Sequence, residues 1–362
     1  MSKQVPMKNY QLLAGFTEND AISTEAKVIA EKFNAKGIIS KIVAPKNYIC
    51  PEFRKVILTP EEVTKDIASQ DIALLHLSCG SLINRFFASL PCRKAVLYHN
   101  ITPSFYFKGF RKELVEALEQ GRLEAMALAK ITEVAMADST FNAEELKGWG
   151  FPAPSVVPLI LDFAKYEIAP EPGWLERLQD GRQNILFVGR CAPNKRIEDL
   201  LRFFAVFQKA VTENSRLIIA GSTVGMERYS SLLLMMAKEL ELDEVLFTGS
   251  ISQSELNACY RSAHLFVSMS EHEGFSIPLV EAMHFGVPIL AYRAGAVPET
   301  LGGAGILFNK KEFNAIAELA AELIFNGSFR RSLLAKATQR IASYREGGHF
   351  ENLFNNLAPL FD

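Results

Sequence analysis

The run Asn184-Ile185-Leu186-Phe187-Val188-Gly189-Arg190-Cys191-Ala192-Pro193-Asn194-Lys195-Arg196 joins a short apolar segment of buried-strand composition to a glycine turn and a basic loop. An amphipathic stretch, Ile197–Val211, follows it, so the run reads as one strand–loop–helix unit. The scheme continues downstream, with strands at Arg216–Ala220, Val245–Thr248, Leu265–Val267 and Val287–Ala291, a helix ending near Leu240 and another starting near Pro278. Upstream, strands are read at Tyr10–Leu13, Lys41–Ala44, Ile72–Leu77, Ala95–Tyr98 and Val134–Ala137, with helices at Ile22–Phe33, Pro60–Ala68 and Ser81–Ala88. Strands alternating with helices predict an α/β chain of parallel, doubly wound sheets, here two Rossmann-like domains facing across a cleft. Ligands in such sheets bind at the carboxyl ends of the strands.

The length of 362 residues suits two domains rather than one. Prolines at Phe151-Pro152-Ala153-Pro154 and Pro170-Glu171-Pro172-Gly173 suit a linker, with the boundary between residues 163 and 180. The reading assigns residues 1–165 to an amino-terminal domain and 166–345 to a carboxyl-terminal one. A hydrophobic share of 49% with 22% charged residues describes an ordinary globular chain, and a net charge of -2 gives no electrostatic case for nucleic acid. Five scattered cysteines without C-x-x-C spacing argue against a disulfide framework or a zinc site and fit a reducing cytoplasm. Met1-Ser2-Lys3-Gln4-Val5-Pro6 has no apolar core of signal-peptide length, and no apolar run reaches membrane-spanning length. The expectation is a cytoplasmic protein.

Chemistry is sought at the strand ends. In Glu273-Gly274-Phe275-Ser276-Ile277-Pro278-Leu279-Val280-Glu281, Ser276 is an N-cap candidate and Pro278 a first-turn proline. Backbone N–H groups around Gly274, Phe275 and Ser276 at this helix start suit an anion such as phosphate. Ionised Glu273 and Glu281 accept hydrogen bonds, and sugars and riboses offer the donors. Alone, that spacing of two glutamates arises by chance. Arg190 presents a planar fork and Lys195 a movable point charge, a pair suited to a diphosphate that gains charge as it leaves. The plainer alternative is a solvated basic turn. Gly249, ending another strand, permits close backbone approach to a ligand.

Taken in order, Gly189-Arg190…Lys195, Gly249, Glu273-Gly274-Phe275-Ser276…Glu281-Ala282, Gly286-Val287-Pro288 and Val297-Pro298-Glu299 resemble the retaining glycosyltransferases of the GT-B fold, family 4. The likeness covers the carboxyl-terminal half. In the amino-terminal half it rests on Gly15-Phe16-Thr17-Glu18-Asn19-Asp20, His76-Leu77-Ser78-Cys79-Gly80-Ser81 and Tyr98-His99-Asn100-Ile101-Thr102-Pro103, which look like the bacterial branch that builds surface polysaccharides and glycoconjugates.

The resemblance implies that Arg190 and Lys195 bind the donor diphosphate, Glu273 the transferred sugar with help from the Gly274, Phe275 and Ser276 backbone, and Glu281 the ribose. It implies that His99 reaches the sugar near its 6-hydroxyl, and that Gly15 and Asn19 line the acceptor side or touch the diphosphate. It implies a helix within residues 346–362 that returns to the amino-terminal domain. No cofactor is implied. The donor is a nucleotide sugar, GDP-mannose favoured over a UDP-hexose, and the acceptor a saccharide or lipid-linked saccharide. No Asp-x-Asp segment for a metal on the diphosphate is found, so a metal-independent enzyme is expected. Alternatives are an inactive nucleotide-sugar-binding protein, a GT-B epimerase or phosphorylase, and a nicotinamide-dependent dehydrogenase, the last disfavoured because neither half carries G-x-G-x-x-G.

Other residues have plainer readings. His76 reads as a packed or hydrogen-bonded residue with an acceptor contact as the alternative, and His272 as a surface residue. Met235 and Met236 read as helix packing. Glu299 either touches the nucleotide or caps the next element. Phe105-Tyr106-Phe107-Lys108-Gly109-Phe110-Arg111-Lys112 mixes aromatics with cations, which suits peripheral contact with the inner membrane face or a loop packed on its own helix.

Overall fold

In a computed structural model, which describes residues 7–18 and 20–361, every strand pairing is parallel. The first sheet contains β1 (Lys8–Leu12), β2 (Ile39–Val43), β3 (Ile72–Leu77), β4 (Arg93–Tyr98), β5 (Val134–Ala137) and β6 (Ser155–Val156), in the order β2-β1-β3-β4-β5-β6. The second contains β7 (Gln183–Val188), β8 (Ser215–Ala220), β9 (Val245–Gly249), β10 (Leu265–Ser268), β11 (Ile289–Tyr292) and β12 (Ile306–Phe308), in the order β12-β11-β10-β7-β8-β9. Helices cover the sheets, so strands such as β3 and β8 are buried at every position and are mostly apolar, interrupted by His76 in β3 and by Ser215 and Arg216 in β8. Strand order reverses between β1 and β3 in one sheet and between β7 and β10 in the other. Those crevices are where doubly wound sheets bind ligands.

Described residues up to Phe105, with Glu113–Asp162 and those from Gly347 onward, form one unit, and Tyr106–Lys112 with Phe163–Glu346 form the other. In the first, Phe350, Leu353, Leu357 and Leu360 share a core with Ile72 and Leu74 of β3 and Leu97 of β4. The helix His349–Leu357 thus buries its apolar face on the first unit's own sheet. No described helix is long and apolar enough to cross a membrane.

One packing contact has an unusual sign. Gly121 lies inside the helix Lys112–Leu128, where alanine is favoured over glycine by about 1 kcal/mol. A Cβ there would stand 2.4 Å from the Gly80 backbone nitrogen, and a Cβ on Gly80 would stand 2.6 Å from the Ala117 carbonyl oxygen. Backbone rather than a flexible side chain meets the new atom, so the overpacking cost of ~1–3 kcal/mol exceeds the propensity gain. Gly121→Ala is therefore expected to lower the thermal midpoint, and a midpoint at or above the parent's would show that the two segments can move apart freely.

Candidate functional site

Lys195 follows β7 and Glu273 follows β10, the two strands that flank the second sheet's reversal. Lys195 Nζ lies 2.8 Å from Glu273 Oε1 and 2.7 Å from Oε2. The Glu273 residue is only 8% exposed, and the Lys195 ammonium meets both of its carboxylate oxygens. One main-chain bond and one side-chain bond hold the loops in register: Glu271 N donates to Asn194 O at 2.9 Å, and the Asn194 side-chain Nδ2 donates to His272 O at 3.2 Å. His272 is itself buried, correcting its reading as a surface residue; the loop that presents Glu273 folds it inward, 6.3 Å from the Tyr106 ring.

The basic loop ends at Arg196, a non-glycine residue at φ +52°. Its guanidinium is tied to Glu198 (3.0 Å), Asp199 (3.1 Å) and Glu271 (3.3 Å), while Lys311 reaches Asp199 at 2.8 Å and Glu271 at 2.7 Å. Burial raises the Asp199 carboxyl, but the hydrogen bonds from Lys311 and Arg196 outweigh it and hold the group below the usual carboxylate range. This network offsets the cost of the left-handed residue next to Lys195.

Behind Glu273, Ala296 N donates to Glu273 O at 2.9 Å, and Gly295 (φ +51°) sits so close that a Cβ would meet that oxygen at 2.3 Å. The helix begins at Ile277, one residue before Pro278, and Ser276 occupies the N-cap position. Its side chain does not cap the helix, however: at φ +77° the backbone is not extended, and the hydroxyl forms no cap hydrogen bond. Phe275 is held instead by its carbonyl, which accepts from Thr300 Oγ1, and by its ring, edge-on to Tyr344 at 5.8 Å. Gly274 continues the same turn. Glu281, 4% exposed, accepts from Tyr260 OH at 2.8 Å and pairs with Lys165 Nζ at 3.1 Å. Each carboxylate oxygen has two lone pairs, so a further donor could share the group. Neither Lys165 nor Tyr260 is distinguishable from sequence, since both are common residue types far from the motif.

Arg190 lies beyond β7; the residue as a whole is exposed, but its guanidinium is partly desolvated, and Nη2 donates to Val224 O at 3.3 Å. Gly249 ends β9 at φ +66° with open space where a side chain would stand. Glu299 lies in the first turn of the short helix Val297–Leu301, and its carbonyl accepts from Arg340 Nη2 at 2.6 Å. Met235 does not pack the helix Glu227–Glu239: it is 64% exposed, whereas Met236 is half-buried and Tyr229 and Leu233 are the helix's buried residues.

In the first unit, Gly15 follows β1 and lies against Tyr48, whose carbonyl would stand 3.1 Å from an added Cβ. Asn19 lies outside the described residues. His99 follows β4 in a buried polar chain. His76 Nδ1 is 3.0 Å from His99 Nε2, and His76 Nε2 is 3.0 Å from Gln11 Oε1. His99 also stands 3.7 Å from Glu25 Oε2 and 3.5 Å from Asp138 Oδ2. Sequence reading missed Glu25 and Asp138; Glu25 sits on a helix face that reads as amphipathic. Burial draws the His99 imidazole down, but Asp138 and Glu25 outweigh it and the net direction is upward. Burial, reinforced by His99, pushes His76 well below its ordinary value. Glu25, His76 and His99 are the one three-residue group among the described residues able to converge on a metal ion, with ligand atoms within 4.8 Å of one another. The 3.0 Å separation of the two imidazoles is a hydrogen-bond distance, so the geometry here holds a proton.

Residues 175–340 match the family model of the glycosyl transferases group 1. Over 160 residues the chain is 27% identical to the serotype-specific mannosyltransferase WbdA of Escherichia coli, covering 44% of this chain and 20% of that protein. It is 24% identical over 250 residues to the O-antigen chain mannosyltransferase B of the same species, covering 67% and 64%. It is 33% identical over 180 residues to a GDP-mannose-dependent alpha-mannosyltransferase of Mycolicibacterium smegmatis, covering 48% and 44%. The chain thus spans only part of these relatives, a fifth of WbdA's length. Among solved structures, Anabaena Alr3699/HepE in complex with UDP and glucose aligns with a TM-score of 0.71 at 16% identity, over 97% of this chain and 99% of that one. The fold is GT-B, and the matched stretch supports a glycosyltransferase.

Burial pushes the Glu25 carboxyl up to about 7, against His99 and the Ile160 N–H, which lower it. The native state therefore holds a proton that the unfolded chain releases near 4.5, so the Glu25 contribution to stability falls as pH rises from about 4.5 to about 7, while the lowered His76 contributes in the opposite sense below 6.5. The raised His99 adds a loss in the same direction as Glu25 above 6.5. Glu25→Gln, which keeps an acceptor for Ile160 N, is expected to shift the thermal midpoint upward relative to the parent as pH rises from 5 to 6.5. A midpoint difference between variant and parent that does not change over that range would mean that Glu25 is ionised in the fold.

Proposed function

We propose that this chain is a retaining glycosyltransferase of family 4 that moves a hexose, mannose by preference, from a nucleotide diphosphate sugar to a saccharide or lipid-linked saccharide. The observation that carries the reading is the Lys195–Glu273 pair at the reversal point of the second sheet, within the matched stretch 175–340. The mannosyltransferase names of the relatives, one of them GDP-mannose-dependent, support mannose and GDP.

In this reading Arg190 and Lys195 stabilise negative charge as it collects on the departing diphosphate, where fixed cations lower the barrier most. Glu273 accepts from sugar hydroxyls while keeping Lys195 oriented, and the Gly274–Ser276 turn approaches the sugar with its backbone. Glu281 accepts from the ribose with the lone pairs that Tyr260 and Lys165 leave, and Gly249 admits the nucleotide closely. His99 donates toward the 6-hydroxyl of the sugar, and Gly15 and Asn19 line the acceptor side or touch the diphosphate. A diphosphate oxygen takes the acceptor proton on the face the leaving group departs from, so configuration is retained. Two side-chain cations stand where a divalent ion would, so the reading is metal-independent. The exposed Phe105 and Lys108 support peripheral contact with the inner membrane face.

A thermal-shift panel of GDP-mannose, UDP-glucose and their nucleoside diphosphates tests the reading, since a ligand of the native state raises the midpoint. GDP-mannose is expected to give the largest shift, and no shift with any member would end the proposal. Arg190→Ala is expected to lower turnover by about 10²-fold or more with the midpoint retained, and transfer at the parental rate would remove its leaving-group role. Turnover is expected to persist in excess chelator.

A further inference from the structure

Although it lies early in the sequence, Tyr106–Lys112 belongs to the second unit. Aromatic contacts anchor it there. The Phe110 ring stands edge-on to Tyr229 at 5.3 Å, Phe107 is buried, and Tyr106 OH donates to Glu271 O at 3.4 Å. Tyr229 in turn accepts from Ile197 N at 3.0 Å, and its hydroxyl donates to Glu198, so Phe110 packs on a residue that braces the basic loop after β7.

This anchoring delivers Arg111 to the loop after β8. A Cβ built on Gly225 would stand 2.3 Å from Arg111 Nη1 and 3.8 Å from Arg190 Nη2, so the two guanidiniums converge on one point. Gly225, at φ +74°, is glycine for both reasons. Among the described residues neither arginine forms an ion pair with a carboxylate. Glu227, whose carboxyl is lowered first by the turn's backbone N–H groups and last by the charge of Arg111, accepts from Gly225 N at 2.7 Å. Burial lowers the Arg190 guanidinium, and the charge of Arg111 lowers it further. Two like charges brought together at Gly225, with no carboxylate ion-paired to either among the described residues, form a fork-on-fork arrangement suited to phosphate oxygens.

We propose that Arg111 is a further ligand-binding residue, forming with Arg190 a two-guanidinium clamp on the diphosphate of the nucleotide donor. The proposal rests on the functional reading above and adds a residue that lies outside the matched stretch 175–340. It also explains why a segment rich in aromatics and cations is held on the unit whose strand ends carry Arg190 and Lys195. An anion between the guanidiniums removes their repulsion, so the clamp binds a diphosphate more strongly than either arginine does alone.

The test is calorimetric titration of the full chain with GDP and UDP, using guanosine and uridine as controls. Arg111→Ala is expected to weaken binding of the preferred nucleoside diphosphate roughly tenfold or more, with the nucleoside unaffected and the thermal midpoint retained. Arg111→Lys is expected to fall between, because it keeps the charge and loses the fork. Arg111→Ala together with Arg190→Ala is expected to cost less than the product of the two single effects, as residues sharing one ligand do. An unchanged dissociation constant in Arg111→Ala, while Arg190→Ala weakens binding, overturns the clamp and leaves the functional reading standing. Equal weakening of nucleoside and diphosphate, or an effect confined to the KM of a phosphate-bearing acceptor, also overturns it. Failure of the parent chain to bind either diphosphate overturns both.

Discussion

A carboxylate taken almost out of water must be paired or surrender its charge, and Glu273 is paired through both oxygens by Lys195. Much of the second unit's strand-end architecture serves that contact. Gly295 lets the chain pass close to the Glu273 carbonyl, Asn194 bonds the main chain on either side of His272, and the network of Arg196, Asp199, Glu271 and Lys311 fixes both loop ends. Removing one partner of such a pair leaves an uncompensated charge, at a cost of about 3–5 kcal/mol when fully buried. The residues that would handle a ligand are therefore also residues the fold depends on.

The first unit meets the same constraint differently. The side chains of Glu25, Asp138 and His99 are all buried, with no lysine or arginine among them, so protons rather than fixed cations balance the charge. Burial raises both carboxyls and the acids raise the imidazole, which makes this cluster responsive to pH. His76 completes the chain to Gln11, which is itself tied to Ala26 O and Ser40. His76 is thus a hydrogen-bonded interior residue, the plainer of its two sequence readings.

Much of the fold is legible in the chain. Ile72–Leu77 and Val134–Ala137 coincide with β3 and β5, since a strand covered on both faces is a continuous apolar run. β6 and β12, of two and three residues, are too short for any periodicity to announce. The candidate site is legible as residue types at strand ends, but its wiring is not. Lys195 and Glu273 are 78 positions apart, and nothing local says that one answers the other. Ser276 sits at the N-cap as its residue type suggests, yet its left-handed backbone removes the capping bond. Met235 shows the converse error: an apolar residue on a helix was read as packing although it faces outward. Hydrophobic type alone does not say which face a neighbouring element covers.

The sequence by itself determined the alternation of strand and helix, the two-sheet architecture, and the basic and acidic residues at the ends of β7 and β10. Each of these is written within a dozen residues of itself, in apolar runs, glycine turns and charge placement. Only the tertiary structure decided that Glu281 answers to Tyr260 and Lys165, that Glu25 stands by His99, and that Tyr106–Lys112 belongs with the second unit and carries Arg111 to Gly225. Burial, pairing and convergence on one point are properties of distance in space, and periodicity along the chain carries no measure of that distance.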